Sequence, residues 1–303
     1  MADASIPVDL FNPGQVFACI GFLEAADVLL GDAEGGFDWS DSADVRFRLR
    51  ASGDENPVAV VLAFLASARV LALAPSGSTN DTSKWHVPTV SLETDAPFPF
   101  PDPSSPATLP TAFEGEIEPG GPTKRLIVDH WGDETRRDTV KFWGGAGGYP
   151  GAALARDAVD LVRVRCREAP DDPFAVAAEQ SSSFRLDWRR DYIPIDAGFS
   201  LNSHHGQIAA VGFPLVELFA VLGLGNARPT RFAPLDYRYS VIGSAAPTSE
   251  AREERALFDP MLMRAALGGA PLPFPRRAFR MRLGWPAKEG QARAITTVTE
   301  ETG

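Results

Sequence analysis

Residues 184–229 read FRLDWRRDYIPIDAGFSLNSHHGQIAAVGFPLVELFAVLGLGNARP, and the reading of this stretch decides the fold. Phe184, Leu186 and Trp188 alternate with Arg185, Asp187 and Arg189, a period of two that predicts a half-buried strand. Asp196-Ala197-Gly198 and Asn202-Ser203 carry turn chemistry, and His204-His205-Gly206 follows. From Gly212 to Leu224 the chain is apolar. Leu215, Leu218, Phe219 and Leu222 fall at helical spacing, and Gly223 to Asn226 suits a C-terminal cap. A strand, a polar loop and a buried helix therefore follow one another. The polar residues crowd into the loop, where function usually sits, so Asn202, His204 and His205 are candidate site residues.

Outward from this stretch the same signals recur. Toward the N-terminus, Asn12 suits a helix N-cap and Pro13 the first helical position, with Gly31 as the stop. Residues 44–50, DVRFRLR, alternate Val45, Phe47 and Leu49 with Arg46, Arg48 and Arg50. Pro57 to Leu73 reads as a second apolar helix with one interior charge, Arg69. A polar loop follows at 74–83, then a short strand within 87–93. Residues 97–110 hold six prolines and fit a surface loop, a linker or an extended arm. Arg125 to Trp131 is a strand candidate. The glycine-rich run 144–151 feeds an alanine-rich helix from about Ala152. It has neither the Gly-Lys-Ser/Thr ending of a P-loop nor a GxGxxG, so no nucleotide site is read there. Leu161 to Arg167 either extends that helix or forms another strand. Toward the C-terminus, Tyr237 to Ile242 is a strand and Glu250 to Leu267 a charged helix. Ala278 to Trp285 is read as the last strand, with residues from 286 on polar and frayed.

The elements add up to an α+β protein, mostly antiparallel sheet with apolar helices packed on it, in one lobe or two. The expected division is an N-terminal α+β lobe over 1–96 and a Pro/Gly-rich linker or arm over 97–124. A C-terminal α+β lobe over 125–286 and a polar tail over 287–303 complete it. One internal echo stands out. Residues 21–31, GFLEAADVLLG, resemble 212–223, GFPLVELFAVLG, and VDHW at 128–131 resembles LDW at 186–188. Duplication and chance both explain it.

Composition narrows the function. The chain has 303 residues and a net charge of −11, which argues against a general nucleic-acid coat. The charge is uneven: residues 1–60 hold eleven acids and three bases, whereas 261–293 hold seven bases and one acid. No apolar run approaches the ~20 residues that span a bilayer. The first residues lack the basic and apolar regions of an export signal, so a cytoplasmic chain is expected. Cys19 and Cys166 sit in apolar contexts and read as buried thiols.

Signals for catalysis are sparse. The chain has four histidines, His86, His130, His204 and His205, and neither HExxH nor CxxC. A metal site built from Asp129, His130 and His204 requires the fold to bring them together. Asp187, Asp191 and Asp196 neighbour Arg185, Arg189 and Arg190 and read as structural ion pairs. No catalytic residue and no cofactor is expected. The arginine-bearing strands say more. VRFRLR and FRMRLGW each set guanidinium groups opposite an apolar row, and a planar guanidinium holds two phosphate oxygens at once. If both strands share a sheet, their outer faces make a basic track, or else an ordinary solvated face neutralised by nearby acids. The candidate nucleic-acid contacts are Arg46, Arg48, Arg50, Lys141, Arg189, Arg190, Asn202, His204, His205, Arg276, Arg277, Arg280 and Arg282.

Three segments also carry a resemblance. VDLFNPGQVFACIGFLEAADVLLG at 8–31, VDHW with VKFWGGAGG at 128–148, and the LDWRRDYIPIDAGFSLN and GFPLVELFAVLGLGNARP phrases resemble the large-subunit-like proteins of type I-U (I-G) CRISPR-Cas systems. This is the Csb-three or Cas-eight-like family. The resemblance implies a non-catalytic subunit of an RNA-guided surveillance complex that binds target DNA. Its implied partners are other effector subunits, guide RNA or target DNA, and a separate helicase-nuclease. The negative total charge departs from a simple DNA clamp. The rival readings are a metal-dependent hydrolase or nuclease, and a protein-interaction module without nucleic acid.

Overall fold

A computed structural model describes residues 1–92, 103, 105–132, 149–180, 182–189, 210–245, 256–285 and 293–301. It is an α+β protein. Among the described residues, strands β1 (Ala2–Pro7), β2 (Glu34–Asp38), β3 (Arg46–Ala51), β4 (Arg69–Pro75), β5 (Thr89–Leu92), β6 (Thr111–Gly115) and β7 (Lys124–Val128) precede the middle of the chain. Strands β8 (Ala178–Glu179), β9 (Val211–Gly212), β10 (Thr230–Ala233), β11 (Asp236–Ser244), β12 (Arg276–Gly284) and β13 (Ala294–Glu301) follow it. The helices are α1 (Pro13–Leu29), α2 (Pro57–Ser67), α3 (Gly151–Val162), α4 (Pro214–Asn226) and α5 (Pro260–Leu267).

Each of α1, α2, α4 and α5 opens on proline, whose missing N–H would be unpaired there anyway. Asn12, Asn56 and Asp259 cap α1, α2 and α5 by accepting from Gly14, from Val58 and Ala59, and from Leu262. Gly31, at φ +86°, ends α1 in the left-handed conformation that a side chain disfavours.

Two sheets enclose the helices. The large sheet runs β1-β3-β2-β11-β12-β13 with β10 also on β11, and all pairs are antiparallel except β2 with β11. The small sheet runs β5-β4-β6-β7, with β4 and β5 parallel. Phe17 of α1 meets Tyr239 of the large sheet edge to face, while α1 and α4 both pack on β7 of the small sheet. The pairing of β2 with β11 and the packing of α1 on α4 place described residues from both halves of the chain in one core.

The central feature is the α1–α4 pair. Both helices are buried on all sides. They meet at two glycines on equivalent motifs, FACIG at 17–21 and FAVLG at 219–223. A Cβ on Gly21 would lie 1.9 Å from the Phe219 carbonyl oxygen, and one on Gly223 would lie 2.2 Å from the Phe17 carbonyl oxygen. Small residues at such a crossing let two backbones touch. Phe22 stacks on Phe219 with ring centroids 3.7 Å apart, and Asn226 donates to Glu24 at 3.2 Å where the C-terminal ends meet. The order strand, helix, hairpin, helix, strand occurs twice, as β1-α1-β2-β3-α2-β4 and as β9-α4-β10-β11-α5-β12. The register of the echo is Gly21 with Gly223, rather than Gly21 with Gly212.

Three expectations are corrected, and one choice left open by the sequence is decided. Residues 184–188 do not form a strand. The buried Glu217 carboxylate accepts from the Phe184 and Arg185 amides at 2.9 and 3.2 Å, and Arg185 adopts φ +63°. A carboxylate thus takes the amides that a ladder would have used. The helix from Pro57 stops at Ser67 rather than Leu73: Ala68 turns extended and Arg69 begins β4. That strand is buried on both faces, so it reads as one apolar run with no alternation. The segment Leu161 to Arg167 continues α3 to Val162 and then forms a 3-10 turn. Finally, residues 294–301 are not frayed but pair with β12 as β13, rich in the β-branched residues that favour strands.

Candidate nucleic-acid interface

Strands β3 and β12 lie in one sheet, and all their arginines except Arg277 share its outer face. Register carries the parity across: Arg46 is opposite Asp38, Asp38 is opposite Ser244, and two-residue steps along β11 reach Arg238, which is opposite Arg280. The inner face presents Phe47, Leu49, Tyr239, Phe279 and Met281 to the core.

The two arginine rows differ electrostatically. On the β3 side Arg46 pairs with Asp44 at 2.9 Å, Arg48 with Asp38 at 3.2 Å, and Arg50 with Asp3 at 2.9 Å and Glu34 at 3.9 Å. Three guanidiniums there face four carboxylates. Burial works to raise the Asp38 carboxyl, but the Ser40 hydroxyl and amide, with Arg48, hold it below the usual value. On the β12 side Arg280 pairs with Asp236 and Arg238 with Glu301, both at 2.6 Å. Arg276 and Arg282, both exposed, have no carboxylate partner among the described residues. Among the described residues four guanidiniums there face two carboxylates, so the positive surplus of the described face lies on β11 and β12. Arg277 points to the core side, over Phe279, and binds Glu300 at 2.6 Å.

The rows do not merge into a continuous track. The Ala256 carbonyl oxygen rests on Gly36, where a Cβ would meet it at 2.1 Å, and the Ala256 amide donates to the Ser244 hydroxyl. Backbone at Ala256 therefore stands on the outer face between the two rows. Ser240 and Ile242, on the same face, are buried.

Sequence reading missed the aromatic member of this surface. Phe232 lies at an irregularity of the β10–β11 ladder, between Arg231 and Ala233, and is 50% exposed. The Arg238 and Arg280 guanidiniums lie 4.7 and 5.7 Å from its ring centroid. The alternation of Tyr237, Arg238 and Tyr239 was the available sign that Arg238 faces out beside Arg280.

Arg189 belongs to a different place. Its guanidinium binds the fully buried Asp187 at 2.6 Å, donates to the Phe174 carbonyl at 2.9 Å and lies 3.5 Å over the Phe213 ring. Asp187 also accepts from the Asn12 side chain at 3.0 Å, tying this clamp to the start of α1. Arg189 lines a small cavity of about 260 Å³ with Asp9, Gln15, Asp44 and Asp172. Lys141, Arg190, Asn202, His204 and His205 lie outside the described residues, as do Asp191, Asp196 and most of the 144–151 glycine run.

Among the described residues no group of three His, Cys, Asp or Glu is placed to hold a metal ion. His130 is buried at 1% exposure, and burial raises the Asp129 carboxyl. Both cysteines are free and buried; burial pushes the Cys19 thiol far up and the Cys166 thiol up, away from the reactive thiolate. Burial and the Asp157 carboxylate push the Tyr149 phenol up to about 12. No helix among the described residues is long and apolar enough to cross a membrane. No family model, curated protein or solved structure matches the chain.

Proposed function

We propose that this chain is a non-catalytic subunit of a type I CRISPR-Cas surveillance complex, acting in antiviral defence. It contributes to binding guide RNA or target DNA and to assembly with the other effector subunits, while a separate helicase-nuclease cuts. The observation that carries the nucleic-acid part is the guanidinium surplus on the outer face of β11 and β12. A net charge of −11 does not oppose this, because charges beyond the Debye length of about 8–10 Å are screened. The subunit assignment rests on the sequence resemblance. Of its segments, 8–31 supplies α1 and 212–226 supplies α4, and Asp187 binds Asn12.

The test is reconstitution with the other effector subunits and guide RNA. The chain is expected to co-purify with them, and the complex to bind target DNA with a salt-dependent affinity. R276E/R282E should lower the salt slope by roughly 0.7–0.9 per lost phosphate contact and weaken all sequences alike. R46E/R48E should change the slope less, because those guanidiniums already face carboxylates. A chain that fails to assemble, or an R276E/R282E complex with unchanged affinity and slope, overturns the corresponding half of the proposal.

A further inference from the structure

We infer that Phe232 is a stacking platform for an unpaired base of a single-stranded nucleic acid whose phosphates pass Arg282 on the same strand face. This rests on the nucleic-acid reading above and names the ligand class. The irregular register at Phe232 frees its side chain from the regular alternation of β10. The ring stays half exposed, whereas Phe17, Phe22, Phe37, Phe47, Phe64 and Phe113 are fully buried. Its two cationic neighbours are fixed in place: Glu301 holds Arg238 and Asp236 holds Arg280, each at 2.6 Å. A flat apolar surface thus stands braced beside immobilised guanidiniums.

Arg282 follows Arg280 two residues along β12, so the cations repeat every ~7 Å on one face. A base brings a planar π-face to the ring, and its backbone brings phosphates to Arg276 and Arg282, which form no ion pair among the described residues. A duplex conceals its base faces within the stack, so the match is to a single strand. A protein partner fits less well. Covering Phe232 with apolar side chains would desolvate these guanidiniums without supplying a charge.

Fluorescence anisotropy on the purified chain tests this. The probes are labelled 12-nucleotide single strands of RNA and DNA, each with an abasic counterpart that keeps the phosphates. Wild type should bind the base-bearing strands more tightly. F232A should lose about 5- to 150-fold on those strands, the equivalent of ~1–3 kcal/mol of stacking, and nothing on the abasic ones. F232Y, which keeps the ring, should bind like wild type, and R282E should weaken both kinds of strand alike. The RNA and DNA arms show which single strand is preferred. Equal affinities of F232A and wild type, or equal losses on base-bearing and abasic strands, overturn the stacking role and leave the phosphate reading intact. Wild type that binds neither strand at 50 mM salt removes both.

Discussion

Replacing Gly223 by alanine tests the α1–α4 contact most directly. In a helix interior alanine is favoured over glycine by about 1 kcal/mol, so propensity alone makes G223A stabilising. The new methyl, however, would stand 2.2 Å from the Phe17 carbonyl oxygen and 2.8 Å from the Gly21 nitrogen. Ordinary contact needs about 3.5 Å, so the two backbones must part by more than 1 Å locally. A gap of that size forfeits roughly half of each dispersion contact along the seam, and overpacking costs ~1–3 kcal/mol or more. Because backbone stands on both sides, the upper end applies, leaving a net loss of about 2 kcal/mol. At roughly 2.1 cal/mol/K per residue over a chain of 303 residues, that lowers Tm by about 3 °C. Gly225 is the internal control. It lies in the same helix with nothing near its would-be Cβ, so G225A should raise Tm by about 1.5 °C. Thermal unfolding of the three proteins side by side is the assay. If G223A melts at or above wild type, or G225A falls as far as G223A, the close crossing is not what holds the helices together.

Further expectations follow from the charged groups. D187A leaves the Asn12 amide and the Arg189 guanidinium without their carboxylate; urea unfolding should show a loss of about 3 kcal/mol, the low end for a broken buried pair because Arg189 is 32% exposed. D187A/R189A should be less unstable than D187A alone, and equal losses would contradict the pairing. The Arg280 hydrogen bond holds Asp236 below the usual carboxylate range, and Arg277 does the same for Glu300. Depressed values stabilise the fold above the unfolded pKa of about 4, and that part is lost as pH falls through the lower folded values. Tm measured from pH 7 to 2 should drop less steeply below pH about 4 in D236N/E300Q than in wild type. The chain should not cleave labelled single- or double-stranded DNA or RNA with Mg²⁺, Mn²⁺ or Zn²⁺; cleavage abolished by H130A would favour a metal-dependent nuclease instead.

What sequence reading reached was whatever local pattern determines. The cap at Asn12, the helix start at Pro57, the α4 stripe and the alternation of β3 and β12 are each set by residues within one turn or one strand. The failures are long-range. Segment 184–188 has the right period for a strand, but Glu217, some thirty residues on, takes its amides. The outward arginines were legible, but their neutralisation was not: Arg50 finds Asp3 and Arg280 finds Asp236 only once β1 and β11 are in place. Nor did local pattern reveal that Ala256 would stand on the face between the rows. Phe232 was passed over because exposure of one phenylalanine is a property of the assembled sheet edge.

The α1–α4 seam also has a consequence in time. Residue 29 ends the first helix, and residue 214 begins its partner. At about 5–20 residues per second, ribosomes need roughly 10–40 s to make the intervening chain. Throughout that interval a helix apolar on every side has emerged without the partner that closes over Gly21. Nascent chains arrested before residue 214 should therefore be cut by added protease within 13–29, while chains extended past 267 should resist; equal resistance would show that another segment shelters the first helix. The gene product thus spends much of its synthesis with an apolar helix uncovered, a state open to aggregation.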